Sequence, residues 1–327
     1  MAPGSTRKLR VLLTNDDGPP GPGSPYLIGW YQHLTQNLGW DLKVVIPSTQ
    51  KSWIGGAFHT AGTINGRYYY PKDTDGQGEI SSSRRGLKEG EIGEWVLLDA
   101  SPASCANIAL QNLFPGEIDL VISGPNFGRN ASSALTLSSG TLGAAFSSSL
   151  SGVRSIALSY GNMTEHIPTT FHKPAFELSS RIIQRLIENW SPHDNRVLYG
   201  INIPMVERLL HEDGMRVYWT SVWKSNYRRM FTEVPQVADN SSRTPDVIVP
   251  REGGGNPEDA LEGKDLAFRF NPDYSELLSK SAPPEGTDSW ALNVDAVSVT
   301  PYLTNFAELP ESEHSFSSLQ DREWKFE

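Results

Sequence analysis

Cysteine is almost missing from this chain: Cys105 is the only one in 327 residues. A single thiol excludes an intrachain disulfide and suits a reducing compartment. With no Cys/His cluster near it in sequence, Cys105 reads as a small helix residue. Positive charge is also scarce. Lys and Arg number 28 against 38 Asp and Glu, a formal net charge of −10, with no long basic run. That excludes a general nucleic-acid binder, whose affinity rests mainly on cations at phosphates. It leaves room for a local pocket that binds a small phosphate ester. No apolar run approaches the ~20 residues of a membrane helix. The stretch MAPGSTRKLR lacks the apolar region of a secretory leader. The expectation is a cytoplasmic protein without membrane contact. In that setting the sequons at Asn130, Asn162 and Asn240 read as chance matches. G-x-G-x-x-G does not follow the first strand, G-x-S-x-G is missing, and no internal repeat is visible.

The chain has ample material for a core. Hydrophobic residues make up 38%, with nine Trp. The length allows one large or two ordinary domains. Leu9, Val11, Leu12 and Leu13 form a short apolar run, the pattern of a strand buried on both faces. A helix is expected after the Pro/Gly loop at 19–23, with Ser24 as N-cap, Pro25 at its first position and Gly39 as its stop. Further strands are expected at 41–46, 94–98, 118–123, 155–159 and 198–203. Helices are expected from Ser101-Pro102 to about Leu113, at 139–150 and at 174–190. Strand–helix alternation of this length implies a mostly parallel, doubly wound, Rossmann-like α/β sheet. Residues 71–93 and 233–265 are polar and read as mobile loops. Residues 215–223 and 294–300 look like further strands, and the tail from Leu309 is acidic and dotted with aromatics. The predicted division is a catalytic core over 1–205, with an insertion at about 62–93, and a smaller β-rich extension over 206–327. That extension returns to the core near 286–301.

Four polar clusters follow the predicted elements. Asn15-Asp16-Asp17-Gly18 ends the first strand. Two adjacent carboxylates there repel each other and resist desolvation unless a cation compensates them. Taken alone, the four residues also fit a surface turn. Pro47 to Gly56 adds a lysine and several hydroxyls, or is a simple connection. Ser123-Gly124-Pro125-Asn126-Phe127-Gly128-Arg129-Asn130 places two asparagines among glycines, or is an Asn/Gly turn. Ser138-Ser139-Gly140-Thr141 at a helix start offers hydroxyls, free N–H groups and a favourable dipole for an anion, or is ordinary capping by Ser139. Parallel α/β sheets bind ligands at the carboxyl ends of their strands. There these clusters would combine into a set of hard oxygen donors suited to Mg²⁺, Mn²⁺ or Ca²⁺ rather than zinc. A phosphate cradle beside a divalent ion points to phosphoryl chemistry.

The ordered set NDDG, KSWIGG, SGPNFGRN and SSGT resembles the SurE family of metal-dependent nucleotidases and phosphatases. LDASPASCANIAL at 98–110, Asn202-Ile203-Pro204, Gly286-Thr287-Asp288 and Val297 to Pro301 resemble further family segments. The resemblance spans about residues 9–305. The wording PPGPGSPY and KSWIGG is closer to the fungal branch. It implies metal ligands at Asp16, Asp17, Ser52 and Asn126, with Mg²⁺ or Mn²⁺ as the ion. It also implies phosphate-facing residues at Ser139, Gly140 and Thr141, with Asn15 and Asn130 beside them, and a homodimer or tetramer. Asp16 and Asp17 would carry the chemistry, as activators of water or as a direct nucleophile. The chain departs from the bacterial pattern in three places. Ala131-Ser132-Ser133 replaces an acidic pair, Ser138 replaces a tyrosine, and the segment 62–93 is longer. These departures leave the metal set intact and bear on nucleotide selectivity. Two rivals are weighed. A catalytically silent nucleotide or metal sensor is opposed by the intact ligand set. A nicotinamide-linked oxidoreductase is opposed by Asp-Asp standing where the glycine-rich turn should be.

Overall fold

The first strand, β1 (Arg10–Thr14), has Val11, Leu12 and Leu13 wholly buried, as a strand covered on both faces requires. The computed structural model describes residues 7–161, 167–190, 197–234, 267–273 and 282–305. Within these, β1 pairs in parallel with β2 (Asp41–Pro47) on one side and β6 (Leu120–Phe127) on the other. Beyond β2 lie β5 (Trp95–Leu98), β3 (Gly66–Pro71) and β4 (Gly78–Ser81). Beyond β6 lie β7 (Ser155–Gly161), β8 (Val197–Pro204), β12 (Val297–Leu303) and β9 (Val217–Trp219). This ten-stranded sheet is mostly parallel. β3 and β4 run antiparallel at one end, and β12 runs antiparallel to β8. The expected doubly wound α/β architecture is therefore present. Strand order reverses between β1 and β6, which places a crevice at their carboxyl ends.

Helices cover both faces. Val11 and Leu13 pack with Leu27 and Trp30 of α1 (Leu27–Gln32) and with Ile183 and Leu186 of α5 (His172–Asn189). Leu12 packs on the other face with Cys105 of α2 (Pro102–Ile108) and with Ala109 just beyond it. Cys105 is thus a small buried helix residue, and burial pushes its thiol pKa up to about 12. Full burial of one large apolar side chain is worth about 1.5–3 kcal/mol, and Leu12, Leu13 and Ile122 are among those fully enclosed.

Several expectations change. Ser24 does not cap the first helix: its N–H closes a turn on Gly21, and its hydroxyl accepts from Asn15. The helix starts instead at Leu27 and continues as a wider π-type turn over His33–Asn37, ending before Gly39 at φ +66°. Residues 71–93 are not a loop throughout. β3 and β4 form a hairpin there, and Arg85 grips Glu91 through two bonds of 2.7 Å while its guanidinium stacks 3.7 Å from the Tyr70 ring centre. Paired charges account for the mixed-charge composition. The strand expected to end at Ser123 resumes pairing with β7 at Asn126 and Phe127 after an irregularity at 124–125. Two short helices were not foreseen, α3 (Ser133–Ser138) and α6 (Asp288–Asn293). The loop expected at 233–265 and the tail from 309 lie outside the described residues, apart from the first two positions of the loop.

Two compact units are distinguished, Met1–Lys224 with Pro283–Glu327, and Ser225–Ala282. In the second, β10 (Phe231–Glu233) and β11 (Phe268–Phe270) form an antiparallel ribbon, with the Phe231 and Phe270 rings 5.6 Å apart edge to face. Among the described residues no helix is long and apolar enough to cross a membrane.

Candidate active site

The turn after β1 is closed by Asn15. Its Oδ1 accepts from the Gly18 N–H at 3.1 Å, and its Nδ2 donates to the Gly18 carbonyl at 2.7 Å and to Ser24 Oγ at 3.3 Å. Asn15 is 1% exposed and spends its amide on the turn, so it shapes the site rather than facing a substrate. The turn holds Asp16 and Asp17 at the mouth of the crevice, only 3% and 6% exposed.

Each carboxylate is held by one neighbouring loop. The Thr141 hydroxyl donates to Asp16 Oδ1 at 2.7 Å. The Phe127 N–H donates to Asp17 Oδ2 at 2.8 Å. Burial raises the proton affinity of Asp16, and the bond from Thr141 opposes that shift. Burial raises Asp17 well above the usual carboxylate range, and the charge of Asp16 adds to it. No ion pair reaches either group among the described residues. Asp16 is met by the Thr141 hydroxyl and by main-chain N–H groups of Gly140 and Thr141, and Asp17 by the Phe127 N–H. These donors are all neutral, which leaves two adjacent buried carboxylates short of positive charge, the environment that a divalent cation satisfies.

The remaining candidates lie on three loops around the pair. The Lys51 N–H donates to the Asp16 carbonyl at 2.7 Å, which brings the loop carrying exposed Ser52 against the turn. Asn126 donates through Nδ2 to the Gly128 carbonyl at 2.8 Å, which leaves its Oδ1 for a ligand. Two carboxylates, an amide oxygen and a hydroxyl are hard oxygen donors, so the chemistry of Asp16, Asp17, Asn126 and Ser52 fits a hard divalent ion rather than zinc.

Helix α4 (Gly140–Leu150) begins beside Asp16. A Cβ at Gly140 would stand 2.8 Å from Asp16 Cβ and 3.1 Å from Pro102 Cγ, so only glycine allows this approach. Ser139 caps the helix, its hydroxyl accepting from the Leu142 N–H at 3.1 Å. The expected anion cradle is thus turned partly inward: Thr141 serves Asp16, and Ser139 serves the helix. Asn130 is likewise committed. Its Nδ2 donates to Ser159 Oγ at 2.8 Å, and its N–H donates to Asn202 Oδ1 at 2.7 Å.

Three contributors were not assigned from the sequence. The Phe127 main chain steadies Asp17 and carries no side-chain signal of that role. Asn202 clamps Asn130, and its position at a strand end beside Pro204 was the available hint. Asp288 accepts from the N–H groups of Ser132, Trp223 and Ser289 at 2.7–3.0 Å. It anchors the loop before α3, where Ser132 takes φ +74°. The Gly286-Thr287-Asp288 wording was its only sequence mark.

A family model described as survival protein SurE matches residues 11–229. The chain is 32% identical over 329 residues to a Saccharomyces cerevisiae protein named probable tubulin–tyrosine ligase PBY1, covering 91% of this chain and 41% of that protein. It is 33% identical over 200 residues to a Caulobacter protein named 5'-nucleotidase SurE, covering 61% of this chain and 64% of that protein. The chain therefore spans less than two thirds of either relative. A crystal structure of the SurE protein from Aquifex aeolicus superposes with a TM-score of 0.59 at 21% identity, covering 91% of this chain and 94% of that one, a likeness of fold. With the family model matched over residues 11–229, more than half of the chain and all four loops of the site, the chain belongs to the SurE family.

Proposed function

We propose that the protein is a divalent-cation-dependent phosphomonoester hydrolase acting on nucleoside monophosphates or related small phosphate esters. The observation that carries this reading is the buried Asp16–Asp17 pair at the sheet's switch point, without an ion-pair partner among the described residues. The relatives named 5'-nucleotidase support it.

Asp16, Asp17, Asn126 and Ser52 would hold the ion, Mg²⁺ or Mn²⁺, which supplies charge neutralisation and electrophilic activation of the phosphate. Thr141 fixes the Asp16 carboxylate. Asp17 has one oxygen bound by Phe127, and its Oδ1 carries no hydrogen bond among the described residues. With that oxygen open, Asp17 would orient the attacking water and take its proton. A water oxygen–phosphorus bond then forms, the ester P–O bond breaks, and the leaving oxygen takes its proton from solvent. Burial of the turn limits competing solvent around Asp16.

The reading extends to assembly and location. Val217 and Trp219 on edge strand β9, and Phe231 and Phe268 on the ribbon, are exposed. They support a homodimer or tetramer built through the segment 206–327. The unpaired Cys105 supports a cytoplasmic setting. The functional test is phosphate release from a panel of nucleoside monophosphates and simple phosphate esters, after chelation and again after adding Mn²⁺ or Mg²⁺. The reading expects activity restored by the ion. Lack of phosphate release from every ester under every ion would refute it.

A further inference from the structure

Phe127 ends β6 inside the crevice, one residue after the candidate ligand Asn126. Its main chain is fixed, because its N–H is bonded to Asp17 Oδ2 at 2.8 Å. Its ring is not buried: the residue is 38% exposed, although the rest of the strand's inward end is enclosed. Nor is the ring loose. Tyr26 meets it edge to face at a centroid distance of 5.9 Å. Tyr26 is itself 1% exposed and is gripped by the rings of Tyr160 and His172 at 5.0 and 4.9 Å. The Tyr26 hydroxyl is buried without a hydrogen-bond partner. It lies close enough to Asp17 for that charge, after burial, to raise its proton affinity.

A rigid, half-open aromatic ring next to the cation-short carboxylate pair is costly to present to water. Among the described residues its neighbours do not close over it. One edge is backed by Tyr26, which leaves ring surface free for a flat partner. The ring packs on Tyr26, which belongs to the core cluster of α1, whereas Thr141 and Gly140 reach Asp16 from the start of α4. If phosphate is handled between the two aspartates, the ester's organic group is the part of a substrate left to meet Phe127.

We infer that Phe127 is the platform on which the leaving group of the substrate stacks, and that it selects phosphate monoesters with a planar ring in that group. This rests on the phosphomonoesterase reading and names its substrate class. The ring could be the base of a nucleoside monophosphate or an aryl group joined directly to the ester oxygen. Phe127 binds and orients the substrate and takes no part in bond breaking.

The test compares wild type with Phe127→Leu, which keeps apolar volume without a ring, and Phe127→Tyr, which keeps the ring. Three substrates are used with Mn²⁺: adenosine monophosphate, phenyl phosphate and glycerol phosphate. Phe127→Leu should raise KM about ten-fold for a ring-bearing ester while kcat stays within about two-fold. KM for glycerol phosphate should not move, and Phe127→Tyr should behave as wild type. A KM change for the nucleotide alone assigns the ring to the base; a change for phenyl phosphate as well assigns it to any flat group. Equal changes for all three esters, or none, would overturn the inference. So would a drop in oligomer mass by light scattering in Phe127→Leu, which would make the ring a contact between copies. Calorimetric binding of adenosine monophosphate and of inorganic phosphate to chelated protein gives a readout independent of turnover. There Phe127→Leu should weaken only the nucleotide. If wild type binds the nucleotide in this way but hydrolyses none of the esters, the hydrolase reading fails while the platform stands. If Phe127→Leu melts well below wild type, Phe127→Met replaces it under the same criteria.

Discussion

Asp17 is buried beside a second carboxylate, and its environment predicts an unusual pH response. Burial and the charge of Asp16 raise its proton affinity, so the folded protein holds that proton more tightly than the unfolded chain. The resulting contribution to stability is complete below the ordinary value of 3.8 and is lost as pH rises through the raised one. Asp17→Asn removes the titration and one part of the repulsion. In chelator, the melting temperature of the variant relative to wild type should therefore climb as pH is raised from 4 towards 8. A difference independent of pH would mean that Asp17 titrates as an ordinary carboxylate. Thr141 gives a second prediction. Its hydroxyl bonds Asp16 and favours the ionised form. A hydrogen bond to a charged group is worth about 1.5–3 kcal/mol. Thr141→Ala should weaken Mn²⁺ affinity as well as turnover, read by calorimetric titration. Unchanged affinity with reduced turnover would instead place the hydroxyl on the substrate.

At the scale of elements, the site depends on close packing between the 51–56 loop and α4. A Cβ at Gly143 would stand 2.2 Å from the Gly55 carbonyl oxygen and 2.8 Å from Gly56 Cα. Overpacking of this kind costs about 1–3 kcal/mol. Gly143→Ala should lower the melting temperature and displace the Ser52 loop, so that the Mn²⁺ concentration needed for half-maximal activity rises. Normal Mn²⁺ dependence in a folded variant would remove that loop from the site. The strands here were legible because burial on both faces leaves a plain mark: Val11-Leu12-Leu13 and Leu120-Val121-Ile122 read as continuous apolar runs. The Asn15–Gly18 turn was legible because Asp-Asp at such a strand end contradicts burial. What stayed hidden were bonds between segments distant in the chain. Ser24 looks like an N-cap until Asn15 takes its hydroxyl. Thr141 and Ser139 look like free donors until Asp16 and the Leu142 N–H claim them. The hairpin of β3 and β4 was masked because Arg85 and Glu91 neutralise each other, which composition alone records as loop-like polarity.

For the whole molecule, net charge and surface decide what it can associate with. At −10 the protein repels phosphate polymers at long range, yet on the proposed reading the cation-short carboxylate pair would recruit a divalent ion locally. Exposed Trp219 on the edge strand is the feature through which assembly is expected. Trp219→Glu should reduce the mass seen by light scattering at micromolar concentration, and an unchanged mass would place the contact elsewhere. The central claim is that Asp16 and Asp17 bind one cation whose binding is linked to the folded state. A ligand at a hundred times its Kd stabilises the protein that binds it by about 2.7 kcal/mol. The direct measurement is the shift in melting temperature on adding Mn²⁺ to chelated protein, taken for wild type and Asp17→Asn side by side. Wild type should rise by several degrees and the variant scarcely at all, with both folded beforehand. Equal shifts in the two proteins would remove Asp17 from the cation site and leave the Asn15–Gly18 segment an ordinary turn.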